Sequence, residues 1–379
     1  MTRISCTGRV CARTVRTAAS TSSRRLYVGM MTDTSISSPM FPDLIKSFLY
    51  RSGALGAYHR LRNARTLTVI MFHRVLDPSD PRWTRCDPDY TLRADLFERC
   101  LEFFRAHYNV VSAADVIEAR RGHRPLPPRS LLITFDDGWS DNVDYALPRL
   151  QAHRMPGLMF VVADAVGTRQ PFFQERIVSA WRGGTLPTAD LREALRRVAG
   201  DDVPAASGAD EPDLRALIRR IEQLSAPDRA TLLGRLEPAL RDDLRHMVTA
   251  DELRQLEEGG VAIGLHGKTH TPMTQAADLH AELAGARAEM AARLAHGPAP
   301  ASMSFPHGRY DGAIAAQARE AGYEVVFTSV PVVNPTGAAV GWLLGRLGFE
   351  TAAVADSQGR FRPELLALYL FRRPHRLLA

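Results

Sequence analysis

The stretch LLITFDDGWSDN, residues 131–142, decides the fold. An apolar run from Leu131 to Phe135 ends abruptly in two adjacent carboxylates, Asp136 and Asp137. A short run with no polar alternation reads as a strand covered on both faces. Two like charges at its tip, about 5 Å apart in an effective dielectric near 20, repel by about 3 kcal/mol. Water, a proton, a cationic side chain or a metal ion must offset that repulsion. The rest of the chain favours the metal.

Outward from this stretch, the chain alternates. TLTVIMF (66–72), LLITF (131–135), GLMFVV (157–162), VAIGL (261–265), MSF (303–305) and EVVFT (324–328) read as strands. NVV (109–111) is a shorter one, and WLLGRLGF (342–349) reads as the last. Between them, 93–107, 112–121, 141–152, 276–295 and 312–321 have helical spacing, with Ser112 as a cap. Strands alternating with helices give an α/β chain with a mostly parallel sheet and helices outside. About seven strands suit a closed or nearly closed barrel, formed by residues 66–169 and 249–350.

Residues 170–248 break the rhythm. They carry helical segments rich in Asp, Glu and Arg, and no clear strand. We read them as a helical insertion between barrel strands: a lid or wall of the cleft, or a solvated excursion with no part in the chemistry. It ends at VTADELRQLEEGG, where Thr249 and Glu252 have capping-box spacing and Gly259-Gly260 stops the helix. Residues 41–65 are helical with interleaved basic residues, suited to packing on the barrel or to lying on a membrane surface. Residues 351–379 form a similar C-terminal basic helical tail. The first 30 residues carry six arginines and no acidic residue. Residues 1–40 therefore read as a disordered basic tail, or as sequence upstream of a true start at Met30 or Met31.

Composition sets the bounds. The chain has 379 residues, 45% hydrophobic and 24% charged, as expected of a globular protein with a full core. No apolar run approaches the roughly 18 residues that cross a bilayer. The net charge of +6 sits largely at the two ends, so no nucleic-acid groove is indicated. Cys6, Cys11, Cys86 and Cys100 form no C-x-x-C pair, which argues against a disulfide framework or a cysteine-based zinc site. A reducing compartment fits, so the expected location is cytoplasmic or peripheral to a membrane.

The polar residues fall in one place. His73 follows strand 66–72, Asp136 and Asp137 follow 131–135, His266 follows 261–265 with His270 four residues on, and His307 follows 303–305. Taken singly, each has a plain reading: a helix-capping turn, surface histidines, a core-edge histidine, a tight turn. Taken together, all lie at the carboxyl ends of strands, where such barrels place their active sites. Two imidazoles and one carboxylate make a three-ligand site for a divalent transition metal. The remaining aspartate is then free to act as general base on a water of lowered pKa.

TFDDG (134–138), H-x3-H (266–270) and FPHGRYD (305–311) resemble the motifs of the polysaccharide deacetylase (NodB-like, chitooligosaccharide deacetylase) family. VIMFHRV (69–75) resembles the opening of its exopolysaccharide branch. The resemblance spans roughly residues 66–165 and 248–350. It implies a distorted (β/α)7-type barrel, interrupted here by the helical insertion, and removal of N-acetyl groups from an amino-sugar polysaccharide or glycolipid. It implies Asp136 as general base, His73 as the acid that protonates the leaving amine, and Asp137, His266 and His270 as metal ligands. Zinc comes first, with nickel, cobalt and iron also accepted by such ligands. Pro306 and His307 offer a turn N–H to the oxyanion, and Trp139 and a late arginine, Arg346, join them in binding substrate. The implied partner is an N-acetylated glycan or lipid-linked sugar, with peripheral membrane contact and no nucleic acid. The family usually has Tyr where this chain has Trp139 and His307, and its late catalytic histidine has no match here. The rival readings are a catalytically silent carbohydrate-binding member of the fold, a non-haem iron oxygenase using the two-His-one-carboxylate set, and a related amidase acting on a formamide or cyclic imide.

Overall fold

The computed structural model describes residues 43–294, 299–337, 339–349 and 351–378. The tail or alternative start expected at 1–40 lies outside them. Strands β1 (Thr66–Phe72), β2 (Arg74–Leu76), β3 (Thr91–Arg93), β4 (Asn109–Val110), β5 (Ser130–Phe135), β6 (Gly157–Val161), β7 (Val261–Leu265), β8 (Ser302–Ser304) and β9 (Val325–Phe327) come first along the chain. β10 (Asn334–Pro335), β11 (Leu343–Leu344) and β12 (Leu347–Gly348) follow. The main sheet runs β1-β5-β6-β7-β8-β9-β11, with all these neighbours parallel.

Closure comes from the last strand, which is split. Its first half, β11, pairs with β9, and its second half, β12, pairs with β1 through Ile70↔Leu347 and Met71↔Gly348. The sheet thus returns to its first strand, as a distorted seven-stranded α/β barrel. The break falls at Gly345-Arg346. A Cβ on Gly345 would lie 2.4 Å from Val332 Cγ2 and 2.6 Å from the Val330 carbonyl oxygen, so glycine is required there. Asn334 satisfies both backbone groups of Gly345: its Oδ1 accepts from the N–H at 2.8 Å, and its Nδ2 donates to the carbonyl at 2.9 Å.

The strand register sorts the two faces. Ile70, Phe72, Ile133, Phe135, Met159 and Val161 belong to the cluster shared with the outer helices, among them α3 (Ala94–His107). Leu67, Val69, Leu132, Leu158, Phe160, Val325 and Phe327 form a separate cluster on the opposite face. The helix expected over 141–152 is a π-helical turn, Asn142–Ala146, running into a helix at Leu147–His153. Phe305 does not extend β8 because it leads into a turn at Pro306.

After β6 come four helices, Phe173–Arg182, Thr188–Ala199, Asp210–Glu222 and Ala226–Leu240, which enclose their own apolar core around Ile177, Leu195, Leu217 and Leu232. The next helix, Ala250–Glu258, opens with the Thr249–Glu252 capping box. At the chain ends, helices Asp43–Arg51 and Ala54–Arg62 meet helix Pro363–Phe371, and Leu366, Ala367, Leu370 and Phe371 of the last are fully buried. The first helix buries no residue and exposes Leu44 and Phe48. Among the described residues no helix is long and apolar enough to cross a membrane.

Candidate active site

The ends of β1, β5, β7 and β8 deliver His73, Asp136-Asp137, His266 and the 306–308 turn, and the barrel brings the aspartates and imidazoles together. Asp137 Oδ1 lies 3.3 Å from His270 Nε2 and 3.6 Å from His266 Nε2. One ligand atom from each of these three residues lies within 4.8 Å of the others, and no other such group occurs among the described residues. His266 Nδ1 lies 3.0 Å from the Ser304 carbonyl oxygen, an acceptor, so that nitrogen carries the proton and the Nε2 lone pair faces Asp137. Three acceptors converging on one point, two imidazole and one carboxylate, fit a divalent transition cation.

Asp136 is held by a different partner. Arg346 binds it with both terminal nitrogens, at 2.6 Å to Oδ1 and 2.8 Å to Oδ2. Its remaining oxygen–imidazole contact, Oδ2 to His266 Nε2, is 4.0 Å. Burial alone would raise the Asp136 pKa, but the Arg346 charge, aided by His266 and His73, outweighs it and holds the carboxyl below the usual range. Burial likewise opposes ionisation of Asp137, and a protonated His270, by hydrogen bond and charge, then His73 and His266, bring it well below normal; a bound cation would take the place of that proton. Burial pushes the His266 imidazole down to about 4, favouring the neutral form that can offer a lone pair.

The backbone is strained where the side chains converge. Five non-glycine residues have positive φ among those described, and three are here: Asp137 (77°), His270 (63°) and His307 (55°). Such conformations cost about 1–3 kcal/mol each and persist where surrounding structure imposes them. Glu282 supplies part of that constraint. Its Oε2 accepts from the N–H groups of Lys268 at 2.7 Å and Thr269 at 3.1 Å, holding the HGKTH loop.

A family model described as polysaccharide deacetylase matches residues 123–326. The chain belongs to the polysaccharide deacetylase family. These are amide hydrolases that act on N-acetylated polysaccharides. Similar solved structures include the deacetylase PplD of Streptococcus pyogenes in complex with acetate, at 14% identity and TM-score 0.51, covering 81% of this chain and 99% of that one. IcaB from Ammonifex degensii is 16% identical with TM-score 0.51, covering 82% and 98%. At these identities the likeness is one of fold, and both support the deacetylase barrel. A curated relative, the poly-beta-1,6-N-acetyl-D-glucosamine N-deacetylase of Escherichia coli K12, is 39% identical over 61 residues, 16% of this chain and 9% of that protein. The match thus spans a small part of the relative's length. A parallel α/β barrel in this family separates the chain from the jelly-roll oxygenases.

Within this deacetylase frame, two residues expected to bind substrate lie buried. Arg346 is 1% exposed and spends its guanidinium on Asp136, on the Thr328 carbonyl (3.1 Å) and against the Phe160 ring (5.3 Å). It has no surface to offer a glycan. Trp139 is 3% exposed because the insertion covers it, and its indole N–H donates to Asp137 Oδ2 at 3.0 Å. Of the turn, Pro306 is buried while His307 is exposed, its ring tilted over His270 at 4.5 Å. His73 packs edge-on against Tyr90 at 4.9 Å. Sequence reasoning did not single out Ser304, Glu282 or Phe172. Phe172, just before the first insertion helix, stacks on His270 at 4.0 Å and 30°, so the insertion reaches the candidate site. Ser304 could have been suspected from its place beside the FPHG motif; the other two carry no local signal.

Proposed function

We propose that this chain is a metal-dependent hydrolase that removes N-acetyl groups from an amino-sugar polysaccharide or glycolipid. The observation that carries the reading is the paired aspartate: Asp137 faces both imidazoles, while Asp136, beside it, is ionised and held apart by Arg346. Asp137, His266 and His270 would hold the cation, zinc first. Such an ion supplies Lewis-acid polarisation of a carbonyl and a water of lowered pKa.

The protein's own groups do the rest. Asp136 takes the proton from the water that attacks the acetamide carbon. Its two bonds to Arg346 fix its orientation and keep it unprotonated. The backbone N–H of His307, in the turn after β8, is offered to the developing oxyanion. His73 delivers a proton to the departing nitrogen. It lies near enough to both aspartates to favour their charged forms, and Tyr90 fixes its ring. A C–O bond forms, the C–N bond breaks, and acetate and a free amine leave. The name of the Escherichia coli relative supports a poly-N-acetylglucosamine type of substrate.

The test is acetate release from a panel of N-acetylated glycans and glycolipids, with and without chelator. Release that chelation stops and zinc restores is the expected result. No release from any member by zinc-replete protein would favour a silent carbohydrate-binding member. Release of formate, or opening of a cyclic imide, with no acetate would favour the related amidase.

A further inference from the structure

We infer that Trp139 is a positioning residue that sets the metal affinity of Asp137, and that the helical insertion holds it in place through Arg74. The inference rests on the metal-site reading above. Asp137 is committed at both oxygens. Oδ1 faces the two imidazoles, and Oδ2 accepts the indole N–H at 3.0 Å. That bond fixes the carboxylate rotation, so one oxygen is presented to a cation and the other is withdrawn.

The indole itself cannot turn. The Arg74 guanidinium lies over its ring at 4.4 Å, and Phe172 meets it edge-on at 5.9 Å. Its backbone pairs with Met247, at the far end of the insertion. A cation over the ring also draws electron density from the indole nitrogen, which strengthens the N–H as a donor. Arg74 is 1% exposed, a costly place for a charge unless every donor is used. Nε and one terminal nitrogen reach Asp141 at 2.9 and 2.8 Å, the other terminal nitrogen donates to Glu175 at 2.7 Å, and the first also lies 3.5 Å from His246 Nδ1. Glu175 and His246 belong to the insertion. A run of contacts therefore links Glu175, through Arg74 and Trp139, to the carboxylate that would bind the metal.

The experiment measures zinc affinity of the full chain by competition with a chromophoric chelator. Trp139→Phe keeps the ring and loses the N–H. Affinity is expected to fall about 10–100-fold, the usual effect of removing a partner of a metal ligand, while the melting temperature of metal-free protein stays close to wild type. The change in tryptophan fluorescence on zinc binding should shrink with it. Glu175→Gln, which keeps an acceptor but loses a charge, should lower affinity several-fold in the same direction. Wild-type affinity in a folded Trp139→Phe variant overturns the inference. If that variant does not fold, wild-type affinity in Glu175→Gln overturns it. Wild-type protein that binds no zinc overturns the metal reading itself, a different failure.

Discussion

Strand β5 of the barrel buries all six of its residues, whereas the insertion helix Asp210–Glu222 buries one stripe: Asp213, Leu214, Leu217, Ile218 and Ile221. The barrel assembles its core from strands scattered between residues 66 and 348, and the insertion builds its own from residues 177–240. Links between the two are largely polar: Arg74–Glu175, Arg215–Asp87 and Arg245–Glu252. The difference teaches a division of work. Under the proposed reading the barrel supplies the reacting groups, and the insertion, packed around its own core, contacts them from one side.

That division can be broken by experiment. Asp136→Asn, in the barrel, should lower acetate release about 10²–10⁴-fold, the usual worth of a general base, with zinc content by metal analysis unchanged. His270→Ala should lose zinc and turnover together, assayed on the same sample. Arg346→Met leaves Asp136 buried without its cation, at a cost of about 3–5 kcal/mol in denaturant unfolding. The sign of its pH effect follows from the lowered Asp136 pKa. In the wild type the pair stabilises fully above the unfolded carboxylate pKa, and this is lost as pH falls through the depressed folded value. With Arg346 gone, burial dominates, the Asp136 pKa rises, and the acid limb of kcat/KM moves to higher pH. Phe172→Ala, in the insertion, removes one ring from His270 and should cost about 2–12-fold in kcat/KM, from about 0.5–1.5 kcal/mol. An effect there as large as that of Asp136→Asn would erase the distinction between the regions.

Much of the barrel was legible because its strands are covered on both faces, which leaves continuous apolar runs such as TLTVIMF and VAIGL. The residues brought to the centre were legible because each follows such a run. The role of Arg346 was not. Its partner lies 210 residues away, and the gap between β11 and β12 that points it inward depends on contacts of Gly345 with Val330 and Val332. Trp139 was expected to bind substrate only through the family resemblance. Its burial is decided by Phe172 and Met247, and no local pattern in 134–142 foretells them. The π-helical turn at 142–146 escaped because apolar spacing alone does not reveal one extra residue in a helical turn.

The split last strand ties two events that other designs keep apart. The stitching of residues 343–348 between β9 and β1 is also what carries Arg346 to Asp136. Asp137, His266 and His270 all precede that stitch in the chain, whereas the counter-ion of Asp136 lies within it. If Asp136 is the base, closing the ring and charging that base are a single event.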